Sequence, residues 1–129
     1  PTMTMAMKDP APTSPSRISF DPGHTTGIAF RKEGGVRFVA TVYHTELDSY
    51  FLKQLHKMWY PQEAIVESVP PNNPDRITLG LFHLICEELR STGIRVVTVM
   101  PGTWKPVRHN AKPFWSEHLR DAVDLLYYP

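Results

Sequence analysis

Three groups of acidic residues carry the chemistry open to this sequence. Asp21 follows the apolar run Ile18-Ser-Phe20 and precedes Pro22-Gly23. Glu67 interrupts the apolar stretch between Ala64 and Val69, and Asp121 and Asp124 recur three residues apart near the end of the chain. A carboxylate at the end of a strand, aimed by a tight turn, is exposed yet rigidly held, which suits a metal ligand. The same Asp, Pro and Gly also make an ordinary hairpin, so Asp21 alone decides nothing. Glu67 is harder to explain structurally, because a charge in an apolar strand is rarely buried without a partner or a metal. Its plain alternative is a solvated strand end. His118, Asp121 and Asp124 share a helix face by their spacing of three. Two aspartates so placed repel each other, which a solvated face tolerates and a divalent cation turns into attraction.

Taken together, Asp21, Glu67, Asp121 and Asp124 suit two hard cations about 4 Å apart, the arrangement of two-metal phosphodiester hydrolysis. Oxygen-only donors favour magnesium over zinc, with manganese as the expected substitute. His118, or in second place His24, is the candidate for moving a proton or orienting the attacking water.

The elements that must position these groups follow from periodicity. Residues 1–16, with Pro1, Pro10, Pro12 and Pro15, read as an irregular leader, and residues 17–129 as one domain. Strands are expected at about 17–22, 26–32 and 36–43, the last two joined by the turn composition Lys32-Glu33-Gly34-Gly35. A helix is expected from about Leu47 to Trp59, with Leu47, Tyr50, Phe51, Leu55 and Met58 as its apolar face. A strand from Glu63 to Val69 and a helix over 76–91 follow, the helix turning Ile77, Leu81, Leu84, Ile85 and Leu89 inward. Ile94 to Val99 is a continuous β-branched run, and a last helix begins near Ser116. The expected fold is α/β: a mixed five-stranded sheet, three antiparallel strands extended by two parallel ones, flanked by helices. A right-handed connection makes the first and fourth strands parallel neighbours, so Asp21 and Glu67 end at the same edge.

Bulk properties narrow the function classes. The 129 residues hold 14 Lys plus Arg against 13 Asp plus Glu, so only local clustering of charge points to nucleic acid. The single cysteine, Cys86, excludes an internal disulfide and sits in a helical apolar pattern as a buried thiol. No apolar run approaches the roughly 20 residues of a membrane span, and no secretion pattern opens the chain, so a cytoplasmic protein is expected.

Asp21-Pro-Gly with Thr26-Gly27, Ile65-Val-Glu67 and Asp121-Ala-Val-Asp124, in that order, resemble the successive motifs of RuvC-type Holliday junction resolvases of the ribonuclease H-like superfamily. The resemblance covers roughly residues 17–127. The short length and the ending His118-Leu-Arg-Asp-Ala-Val-Asp-Leu-Leu-Tyr-Tyr are most similar to small phage-encoded members, whose location would be the host cytoplasm. It implies a magnesium-dependent, usually dimeric endonuclease that nicks branched DNA, such as a four-way junction. Two departures stand out. The segment before the last helix is shorter than in bacterial members. Where those place a Phe in the loop after the Glu67 strand, Pro70-Pro-Asn-Asn73 stands here.

From Arg90 to Arg120 six basic residues face a single acid, Glu117, with Trp104, Phe114 and Trp115 interleaved. Such a loop suits phosphate contacts and base stacking, with Lys105, Arg108 and Lys112 as the expected DNA contacts. Asn72 and Asn73 are further candidates, and Arg31, Lys32 and Arg37 form a second basic patch. A homodimer is expected to pack through the second helix, by Leu79, Phe82 and Leu89. Two rival readings use the same residues: a ribonuclease H-like enzyme acting on RNA or an RNA–DNA hybrid, and a non-catalytic DNA-binding module.

Overall fold

The computed structural model describes residues 15–33, 35–101 and 116–128. Its elements are β1 (Arg17–Asp21), β2 (Thr25–Lys32), β3 (Gly35–Tyr43), α1 (Ser49–Trp59), β4 (Glu63–Glu67), α2 (Arg76–Arg90), β5 (Arg95–Val99) and α3 (Glu117–Leu126). The five strands form one sheet in the order β3-β2-β1-β4-β5. β1 and β2 are antiparallel, with Asp21 opposite Gly27, and β2 and β3 are antiparallel as well. β1 runs parallel to β4 with Phe20 opposite Val66, and β4 runs parallel to β5. This is the expected mixed α/β sheet. All five residues of β4 are buried, as a central strand covered on both faces requires.

Strand alternation divides the core in two. Ile18, Phe20, Ile28, Phe30, Val42, Ala64 and Val66 face α1 and α2 and pack with Leu52, Leu55, Leu81, Ile85 and Leu89. The opposite face is covered by α3. Ala29 meets Ala122, Val123 and Leu126 there, and Ile65 and Val99 meet Leu125. Each large aliphatic side chain so buried contributes roughly 1.5–3 kcal/mol.

Helix starts follow their caps. Asp48 accepts from the Phe51 N–H at 2.8 Å, so α1 begins at Ser49. Leu47, expected inside that helix, instead packs in the core beside Leu52 from just before the cap, a hydrophobic staple. Tyr60 closes α1 in a left-handed conformation (φ 46°) ahead of Pro61. Tyr50 and Met58 are 70% and 66% exposed, which corrects the expected apolar face. Phe51, Leu52, Leu55 and Trp59 occupy the sheet side instead. On α2, Ile77 is 40% exposed because the helix has barely met the sheet there, whereas Leu89 is buried and cannot serve the expected dimer surface.

α3 is docked by more than apolar contact. Ser19, a buried hydroxyl in an apolar strand, donates to the Ala122 carbonyl at 2.6 Å. Arg17 donates to the carbonyls of Leu126 and Tyr128 at 3.2 and 2.5 Å, and Arg31 donates to Leu126 at 2.9 Å. Cations at a helix C-terminus satisfy carbonyls that have no helical partner and oppose the negative end of the dipole. At the other end, Gly27 lies directly beneath the His118 carbonyl. A Cβ on Gly27 would stand 3.0 Å from that carbonyl carbon and closer still to its oxygen.

Gly27→Ala is therefore expected to lift the first turns of α3 and destabilise the protein by roughly 1–3 kcal/mol. Gly80→Ala, on an exposed helix position with nothing within 4 Å of the new methyl, is expected to stabilise by about 0.5–1 kcal/mol. Denaturant unfolding of both variants checks the pair.

Candidate functional site

Alternation places Arg17, Ser19 and Asp21 of β1 on the face that α3 covers, since Arg17 and Ser19 bond α3 directly. On β4 the same argument holds for Glu63, Ile65 and Glu67. Glu63 pairs with Arg17 at 2.6 Å, and Ile65 packs on Leu125. Phe20 is opposite Val66, so the next residues, Asp21 and Glu67, end neighbouring parallel strands on one face and at one edge.

α3 runs antiparallel to β1. The His118 carbonyl sits over Gly27, the Ala122 carbonyl over Ser19, and the Leu126 carbonyl by Arg17 and Arg31. Asp121 thus lies level with the end of β1. One turn ahead of Leu125, which touches Ile65 and Val99, it is on the side of the helix nearest Glu67. His118 is exposed and lies about 4.5 Å nearer the start of the helix than Asp121. Asp124 lies about 4.5 Å further along the helix and about 60° farther around it, away from the Leu125 side. Glu67, Asp121 and Asp124 are buried, at 8%, 5% and 3% exposure, and Asp21 is half-buried. Among the described residues no three acidic, histidine or cysteine side chains are grouped tightly enough to enclose an ion. The structure brings Asp21, Glu67, Asp121 and His118 to one edge and one face, with Asp124 set back.

Arg31 departs from its expected role. It is 7% exposed, bonds α3 and stacks over Tyr127 at 5.2 Å, so it is no surface contact for DNA. Burial, reinforced by the charge of Arg17, holds its guanidinium below the usual arginine range. Lys32 and Arg37 are at the far end of the hairpin, with Lys32 roughly 17 Å along β2 from the level of Asp21. Asn72 is exposed in the loop after β4. Asn73 is spent on that loop, accepting from the Asp75 N–H at 2.8 Å and donating its own N–H to Pro70 at 3.0 Å. Lys105, Arg108 and Lys112 lie outside the described residues. Cys86 is a buried thiol, its pKa pushed up by burial.

His24, the second candidate for moving a proton, has a different partner. The structure gives its Nε2 to Asp75, 2.9 Å from Oδ2 and 3.0 Å from Oδ1. Asp75 also caps α2, accepting from the N–H and hydroxyl of Thr78. The residues that sequence reasoning missed are Ser19, Gly27, Arg17 and Arg31 as anchors of α3. A small hydroxyl and a terminal arginine in otherwise apolar strands were the available signals.

No protein-family model matches the sequence, and no curated protein matches it significantly. Solved structures do share its fold. Thermus thermophilus RuvC in complex with a Holliday junction substrate matches with a TM-score of 0.69 at 11% identity, over 88% of this chain and 90% of that one. A second structure of Thermus thermophilus RuvC matches with a TM-score of 0.63 at 16% identity, over 86% and 90%. The chain has the ribonuclease H-like fold of RuvC, as its motifs led us to expect.

The Asp75 carboxyl is held below the ordinary aspartate range, first by the Thr78 N–H, then by its hydroxyl, with His24 adding to both. A depressed carboxyl stabilises the fold above its unfolded pKa and loses that contribution as pH falls through its folded value. Melting of Asp75→Asn, which keeps a capping oxygen but no charge, should therefore fall less between pH 5 and pH 2 than that of the parent. Parallel acid profiles check it.

Proposed function

We propose that the chain is a metal-dependent endonuclease that cuts branched DNA such as four-way junctions. One observation carries this reading: Asp21 and Glu67 end adjacent parallel strands on the face where α3 supplies Asp121 at the same level. Its fold is that of a protein solved with a Holliday junction. The donors are carboxylate oxygens, and carboxylates that share one edge favour a hard divalent cation, magnesium or manganese. Asp21, Glu67 and Asp121 would hold two such ions, with Asp124 as the fourth donor of the set. Bound there, they supply water activation and charge neutralisation for phosphodiester hydrolysis.

The chain's own groups have separate tasks in this reading. The β1–β2 turn holds Asp21 at the sheet edge. Docking of α3 fixes Asp121. His118, exposed about one turn ahead of Asp121, carries a proton from the attacking water to solvent. Asn72, exposed at the same edge, contacts DNA, together with Lys105, Arg108 and Lys112. Two copies acting on opposite strands would form a homodimer, for which α2 offers the exposed Ile77 and the half-buried Leu79 and Phe82. No helix among the described residues is long and apolar enough to cross a membrane, in keeping with action in the cytoplasm, the host's if the chain is phage-encoded.

Cleavage of synthetic four-way junctions, RNA–DNA hybrids and structured RNA, with and without magnesium, tests the reading. Asp21→Asn, Glu67→Gln and Asp121→Asn are each expected to slow junction cleavage by roughly 10²-fold or more. Asp124→Asn, set back along α3, should lose less. Preference for the hybrid or RNA would make this a ribonuclease, and junction binding with no cleavage by the parent would leave a binding module. Sedimentation showing only monomer, with and without DNA, would exclude the dimer.

A further inference from the structure

Connections at the carboxylate edge include the turn after Asp21, the turn after β3, and the loop from Glu67 to α2. His24 touches all three. Its carbonyl accepts from the His44 N–H at 2.8 Å, and the two imidazoles meet edge-to-face with centroids 5.2 Å apart. Its ring nitrogen reaches Asp75, whose N–H bonds the Asn73 side chain, while the Asn73 N–H bonds the Pro70 carbonyl. A continuous polar chain thus runs from His24 to a residue three positions beyond Glu67. The turn that carries His24 is itself closed. Thr26 Oγ1 donates to the Gly23 carbonyl at 3.1 Å and accepts from the Gly23 N–H at 3.3 Å.

We propose that His24 is a positioning residue that fixes the 70–75 loop, with its exposed Asn72, against the turn that holds Asp21. This rests on the nuclease reading above. A DNA strand held by the loop then meets the carboxylates at a set distance, and loss of the pin misplaces the scissile phosphate without removing any contact to it. The pair is solvent-exposed on both sides, so it adds little to stability. Orientation of a reacting group is far more sensitive to small displacements than stability is.

The test compares His24→Ala and His24→Gln with the parent in the full chain. Single-turnover cleavage of a four-way junction at saturating DNA and magnesium is expected to fall about tenfold in His24→Ala. Junction affinity should stay within about twofold and the melting temperature within about 2 °C. His24→Gln, whose amide can still donate to Asp75, should recover most of the rate. Hydrogen exchange at the Asn73 and Asp75 amides of the free protein should quicken in His24→Ala and not in His24→Gln. A parental cleavage rate in His24→Ala, or weakened binding with an unchanged saturated rate, overturns the proposal. Should the parent cut no nucleic acid, the nuclease reading fails by itself. Exchange then decides the pin: quickened exchange upholds it, and unchanged exchange overturns it.

Discussion

Everything at the carboxylate edge depends on how α3 is fastened to the sheet. Asp121 and Asp124 belong to a helix of ten residues, too short to persist alone in water. Its apolar contacts with Ala29, Ile65 and Val99 hold it to a surface but are non-directional. Direction comes from hydrogen bonds to backbone, which fix both rotation and height. Ser19 sets the middle of the helix, and Arg17 and Arg31 set its end. Arginine suits this work better than lysine, because its planar fork can serve several carbonyls at once.

The two ends of α3 carry opposite electrostatic problems. At its C-terminus two guanidiniums lie close together and are desolvated, which the Leu126 and Tyr128 carbonyls and the Glu63 carboxylate offset. Toward its N-terminus the helix brings an acid to an edge where two strands already end in acids. Glu63, buried between Arg17 and Arg95 at 2.6 and 3.6 Å, shows how this fold neutralises a buried carboxylate when the purpose is structural. Glu67, four residues on in the same strand and on the same face, ends at the edge that α3 reaches with Asp121.

Much of this arrangement is legible in the amino-acid sequence. Turn residues and short apolar or β-branched runs mark the strands, and the right-handed connection places Asp21 beside Glu67 because parallel neighbours must end together. What sequence does not supply is the identity of each face's partner. Arg31 reads as a surface cation because alternation tells which residues share a side but not what covers it. Gly27 reads as part of the second strand, while its need is the close passage of a helix more than ninety residues later. Tyr50, Met58 and Ile77 are periodic but exposed, since an apolar row wider than the surface it meets leaves its margin in water. Asp121 and Asp124 are equivalent by spacing, and only the docking of α3 on the sheet, its height and its rotation, separates them.

The anchors of α3 also bear on the order of events in folding. The bonds from Arg17 to Leu126 and Tyr128 span 109 and 111 residues, and that from Ser19 to Ala122 spans 103. Contacts of such sequence separation form after local ones, because loop closure must precede any gain from them. The sheet and the α1–α2 layer have nearer partners, so loop-closure entropy favours their forming before α3 covers Arg17, Ser19 and Arg31. The acidic edge comes into being only with the final helix. An intermediate lacking that step would hold most of the core and none of the chemistry.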